Sequence, residues 1–382
     1  MNKISRLDFI ALIRKKIFYI PLLLIVIIIG GFYAGQYTSS STRSVAGLLT
    51  DNISFNDKQI KEIKKSGKAI PAWLSKEQKL MKRIQVSFDK HEWSQVAKDR
   101  ITLIDIDAAY AKKYHITAKE DPGLIYFQRQ KLILQFVKSH NVYPNINNSA
   151  LSGLNFTLDT LNILFPELFV VIIIFMVVGN LTKKYQNKKN VNLLFPLKSN
   201  VMDNSKLITS FTAAIVVYFV IIASTLLIGT IFNGLGHFQY PIIFETAKSI
   251  KSIPIWIVLL KTMSLQILGI FAVLLLAQIF SGIFKNTVLT IMITVLVTVF
   301  QSVAPIVFTS FYSIMHIIPE MYLTGGFVVN NHIATITNNH AITYDQGVLV
   351  SIIWIFVLLS IRMSQQKIEK KTSQHLLIND NE

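Results

Sequence analysis

Apolar residues in this chain run in unbroken blocks of about 20, the length that carries an α-helix across a bilayer core. The first block is 17–37, IFYIPLLLIVIIIGGFYAGQY. Five more follow, at about 161–181, 207–232, 254–280, 287–308 and 347–363. In lipid every backbone N–H and C=O must be paired inside the protein, which a helix achieves within its own segment. Runs of this length argue against a membrane β-barrel, whose strands alternate over about ten residues. The expected fold class is therefore an all-α membrane protein with six transmembrane helices. The composition agrees. Of 382 residues, 52% are hydrophobic and 15% charged, where a soluble domain carries about a quarter charged residues.

The polar stretches set the domain plan. Residues 1–16, MNKISRLDFIALIRKK, place Ile4, Leu7, Ile10 and Ala11 at helical spacing beside Lys3, Arg6 and Arg14. That pattern predicts a short amphipathic helix along a membrane surface. The block at 17–37 reads as an uncleaved anchor, being long for a signal peptide and lacking a clear A-x-A site. Residues 38–157 are polar and charged, yet Leu80, Met81, Ile84 and Phe88 recur at helical period. So do Trp93, Ala97, Ile101, Ile104 and Ala108, and then Leu132, Ile133, Phe136 and Val137. A helical extracytoplasmic domain between spans one and two is expected. Residues 364–382 form a tail.

The formal net charge of +17 matches a chain that meets anionic lipid headgroups with Lys and Arg at its cytoplasmic helix ends. It does not point to nucleic acid, because no basic run interleaves with aromatics as a base-stacking platform. Arg14, Lys15 and Lys16 precede span one; Lys183, Lys184, Lys188 and Lys189 follow span two. Lys285 lies between spans four and five, and Arg362, Lys367, Lys370 and Lys371 follow span six. Residues 309–346 hold no Lys or Arg. The positive-inside rule then puts both termini in the cytoplasm of a cell-membrane protein. Lys248 and Lys251 in the 233–253 loop run against this pattern. The Lys-, Asn- and Ile-rich composition suggests an AT-rich Gram-positive bacterium.

No catalytic motif is present. The chain has no P-loop, no G-x-S-x-G and no H-E-x-x-H. It has no cysteine, which excludes thiol chemistry and disulfides. His316, Glu320, His332 and His340 share one segment, but at spacings that match no metal-ligand pattern, so a solvated loop is expected. Asn52-Ile-Ser54 and Asn155-Phe-Thr157 fit a glycosylation acceptor, a pattern common by chance. Within the spans, Glu167 and Lys261 stand at similar depth, and charge in lipid is costly. They are expected to pair, to line a substrate path, or to snorkel to the outer interface. Gln266, Gln278 and Gln301 are candidates for hydrogen bonds between helices.

The loop 182–206, TKKYQNKKNVNLLFPLKSNVMDNSK, is apolar at its centre. A basic stretch leads to Leu193, Leu194, Phe195, Pro196 and Leu197, then to Ser199 and Lys206 before span three. This resembles the first cytoplasmic loop of ABC-2-type transporter permeases, although Asn187 to Asn192 supply neither the acid nor the Gly often found there. MHIIPEMYLTGG is similar to that family's N-P-x-x-Y-like external re-entrant segment, matching at Pro319, Tyr322 and Gly325 with Ile318 in place of Asn. The resemblance implies a membrane subunit of an ATP-driven exporter of a peptide, antimicrobial compound or other amphiphile. It implies no cofactor bound by this chain, ATP used by a separate ABC ATPase subunit, and a second permease, identical or not, as partner. Leu193, Leu194, Phe195, Pro196, Leu197, Ser199 and Lys206 would form the ATPase-coupling loop. The competing expectation is a receptor that uses 38–157 as its ligand-binding domain.

Overall fold

The computed structural model describes residues 3–14, 16–42, 45–113, 123–142, 151–186, 189–190, 199–245, 250–307 and 309–379. Helix α1 (Lys3–Ile13) precedes the long α2 (Lys16–Thr42). Four helices follow: α3 (Val45–Lys65), α4 (Ala72–Asp89), α5 (Trp93–Lys113) and α6 (Gly123–His140). Next come α7 (Gly153–Ile163), a π-turn (Phe165–Phe169) and α8 (Val170–Thr182). Beyond them lie the short strands β1 (Tyr185–Gln186) and β2 (Lys189–Asn190), then α9 (Ser199–Asn233). A hairpin, β3 (Pro241–Glu245) and β4 (Ile250–Pro254), leads into α10 (Ile255–Phe284) and α11 (Thr287–Val307). Three 3-10 turns (Thr309–Ser313, Met315–Ile317, Pro319–Thr324), α12 (Gly325–Val329), α13 (His332–Ile336) and α14 (Tyr344–Asn379) complete the chain.

This is an α-helical membrane protein. Among the described residues five helices are long and apolar enough to cross a bilayer: Phe18–Ser39, Phe165–Thr182, Val201–Asn233, Ile255–Phe284 and Tyr344–Glu369. The predicted span 287–308 corresponds to the apolar helix α11 (Thr287–Val307). The segments at Phe165–Thr182 and Ile255–Phe284 form the centre, with 67% and 56% of their apolar windows buried. The other three spans bury 22–28% and turn large side chains outward, among them Leu23, Ile27, Leu227 and Phe356. Lipid tails are as apolar as leucine, so burial alone does not hold such helices together. Close packing and hydrogen bonds between helices do.

The architecture is helical as expected, with a short antiparallel pairing of residues 241–245 and 250–254 that sets Ile242 opposite Ile253 and Phe244 opposite Lys251. The apolar ends of the two strands are bounded by prolines, which continue into helix on only one side.

The polar segment folds as a helical unit, as its periodicity predicts. Ile84, Val96, Ala97, Ile104, Leu134 and Val137 form its core, flanked by Phe88, Trp93 and Ile101. A doubly bonded Arg83–Asp99 pair ties α4 to α5, with Arg83 Nε 2.7 Å from a carboxylate that is almost fully buried. Ala108, assigned to the apolar face by spacing, is exposed. The predicted α6 face divides. Val137 enters the domain core, while Phe136 stacks on His140 at 4.1 Å and meets Tyr240 edge-on at 5.9 Å. Residue 240 precedes the β3–β4 hairpin, so α6 fastens the domain to that end of the bundle.

Helix α1 exists where expected and turns Leu7 and Ala11 of its apolar stripe away from the protein. Ser5 and Leu12 are buried against α9, whereas Leu7 and Ala11 are exposed. Ser5 Oγ lies 3.0 Å from Ser205 Oγ, and its carbonyl accepts from Thr209 Oγ1 at 3.1 Å. The apolar stripe seen in the sequence is thus the one left over for a membrane surface. Asn155 of the Asn155-Phe-Thr157 pattern is buried and donates to Ser152 Oγ at 3.0 Å.

Candidate functional site

The long loop after α8 is rooted in a buried ionic cluster. Lys184 lies two residues beyond α8 and Asp203 lies in the second turn of α9. Lys184 Nζ is 3.1 Å from Asp203 Oδ2, with the side chains 5% and 1% exposed. Glu369, on α14, places Oε2 4.0 Å from the same ammonium. The Tyr185 hydroxyl donates to Glu369 Oε1 at 2.6 Å. Burial, then the bond to Glu369 and the charges of Glu369 and Asp203, push that phenol well above its ordinary range. It therefore stays protonated and keeps donating.

Five helices meet at this point. Gln278 of α10 donates to the Asp203 carbonyl at 3.2 Å, and Gln366 of α14 donates to Asp203 Oδ2 at 3.4 Å. Arg362 of α14 donates to Asn204 of α9. Thr182 of α8 and Thr287 of α11 share a hydroxyl contact at 2.7 Å. A buried pair is costly to form and more costly to leave half-made, because the partner that remains is a bare charge in low dielectric. The bonds from Gln366 and Tyr185 give the cluster the additional partners such a pair requires.

The sequence singled out the loop and missed its anchor. Leu193, Leu194, Phe195, Pro196 and Leu197 lie outside the described residues. Ser199 opens α9, and Lys206 sits inside it, its carbonyl accepting from Asn180 at 3.5 Å. Lys184 and Arg362 had been read only as topology markers. The available signal was the lone acids, Asp203 and Glu369, set among basic residues.

At the opposite end, Pro319, Tyr322 and Gly325 are all buried inside the bundle. The Tyr322 hydroxyl donates to the His316 carbonyl at 2.7 Å. Gly325 lies against α10, where an added Cβ would stand 2.8 Å from Thr262 Cγ2 and 3.0 Å from its Cα. Gly347 of α14 gives Tyr322 its space in the same way, at 2.4 Å from Cδ1. Gly326 N–H donates to Asn162 Oδ1 at 2.9 Å. Pro166 has no N–H, so carbonyls in the preceding turn lack a donor. Gln266 donates to one of them, that of Leu161, at 2.7 Å, and to the Leu323 carbonyl at 2.8 Å. Its own oxygen accepts from Tyr218 at 2.8 Å. The helix-to-helix role expected of Gln266 and Gln278 is thus met.

Glu167 and Lys261 do not come together. Glu167 is exposed on the π-turn, and Lys261 Nζ sits 4.7 Å from the centre of the Tyr344 ring. Among the described residues no three His, Asp or Glu side chains gather as a metal site. His316 Nδ1 faces Asn339 at 3.3 Å instead. No protein-family model, no curated protein and no solved structure matches this chain.

Proposed function

We propose that the chain is the membrane-spanning subunit of an ABC-2-type exporter, driven by a separate ATPase and moving an amphiphile or peptide outward. In this reading α11 completes a set of six spans. Both termini and the 183–198 loop face the cytoplasm, and the α3–α6 domain stands outside. The observation that carries the reading is the anchorage of the loop. It leaves and re-enters the bundle at Lys184 and Asp203, which bond each other and reach Glu369, so a displacement of the loop acts on α8, α9 and α14 together. A loop meant only as a tether needs no such root. Leu193, Leu194, Phe195 and Leu197 supply an apolar surface for the ATPase, of the kind that marks a partner site.

The test first asks whether a gene beside this one encodes a P-loop ATPase, and then co-expresses that ATPase with the double substitution L194D/F195D. Loss of a buried anchor costs about 2 kcal/mol or more, a roughly thirtyfold weaker complex, so the ATPase should no longer co-purify. The variant should still insert, since no span is altered. Normal co-purification together with normal efflux would overturn the reading.

A further inference from the structure

Glu320 has no counterpart among the buried charges of the basic end. It lies in the 3-10 turn Pro319–Thr324 with 7% of its surface exposed, and its Oε2 has no hydrogen-bond partner. Among the described residues it is the one carboxylate oxygen so placed. Its neighbours in the turn, Pro319, Met321, Tyr322 and Leu323, are buried too. The turn cannot easily swing outward, because Gly325 and Gly347 seat it directly on α10 and α14.

Ionisable groups stand on several surrounding elements: Lys261, Asp159, Glu167, His316, Tyr322, Tyr344 and Asp345. None of them acts on Glu320. Burial alone pushes its carboxyl up to about 7, opposed only by its own backbone N–H. A carboxylate oxygen held in low dielectric is satisfied by a proton or by a cation. A metal ion needs several oxygen or nitrogen ligands, and among the described residues no three His, Asp or Glu side chains gather to supply them. An organic ammonium needs only the one carboxylate with apolar and aromatic walls, and Lys261 over the Tyr344 ring shows such walls holding an ammonium at this end of the bundle.

We propose that Glu320 is a single-carboxylate cation site inside the bundle, holding a proton at rest and exchanging it for an organic ammonium group. The site stands independently of the permease reading. A hydrophobic carbodiimide tests it, since such reagents modify protonated carboxyls in apolar surroundings. The purified full-length protein in lipid nanodiscs is labelled between pH 5.5 and 9, and Glu320 is followed by peptide mass spectrometry, with Glu320→Gln as the unlabelled control. Labelling should fall at least fivefold from pH 6 to pH 8.5. At pH 7 tetrapentylammonium, which a carbodiimide-activated carboxyl cannot acylate, should protect Glu320, and the protecting concentration should rise as the pH is lowered. Absence of label at pH 6, label that ignores pH, or label that ignores the ammonium would each overturn the proposal.

Discussion

The two ends of the helix bundle bury charge in opposite ways. At the basic end Lys184, Asp203, Glu369 and Tyr185 partner one another, and glutamines from α10 and α14 add further bonds. At the other end Glu320 is buried with a bare oxygen. The first arrangement is a fastening: it holds helices at one position and resists change. The second is a site that answers to its surroundings, because the carboxyl must keep its proton or find a cation. Charge buried with partners specifies geometry, whereas charge buried without them makes the fold sensitive to pH and ligand.

Breaking the fastening should give the largest effect. Asp203→Ala leaves Lys184 as a buried charge with its nearest partner gone, a change that costs about 3–5 kcal/mol for buried pairs. Replacing both, as Lys184→Met with Asp203→Leu, should cost far less than the single change. A thermal unfolding series in detergent measures both. If the double variant is as unstable as the sum of the singles, the two side chains are not coupled, and the contrast between the ends collapses.

Glu320→Gln should act in the opposite direction. A carboxyl raised from an ordinary 4.5 to about 7 destabilises the fold as pH rises, because the unfolded chain gives up its proton first. The penalty is absent below about pH 4.5, grows through pH 7 and is complete above it, reaching about 3 kcal/mol for a shift of this size. The variant should therefore match the parent near pH 4.5 and exceed it in melting temperature at pH 8.5. A constant difference across that range would show that the carboxyl does not titrate between those limits. The smallest effect is expected at the seat of the turn. Gly325→Ala presses a methyl against the Thr262 backbone, an overpacking that costs about 1–3 kcal/mol. By loosening the turn it should also move the Glu320 labelling midpoint to lower pH; an unchanged midpoint would mean that the seat does not control burial.

Much of the scaffold is legible in local pattern. Ile84 and Val137 announce the core of the polar domain through a 3.6-residue period, since water outside forces apolar side chains inward. In the spans that signal vanishes. Leu23 and Ile29 are equally apolar, yet one is exposed and the other buried, because lipid and protein interior are alike to them. The sequence therefore marks where α2 lies and is silent on which face it packs.

What the chain determined by itself is its class: long apolar blocks can only be helices in a bilayer. Tertiary structure decided which polar residues meet. Lys184 and Glu369 are separated by most of the bundle's chain length, and nothing in their local sequence pairs them. Glu167 and Lys261 are expected from the sequence at similar depth, yet depth does not fix the direction a helix turns around its axis. Pairing depends on rotation and on close approach at positions such as Gly325, and these are set by packing between helices rather than by the order of residues along one of them.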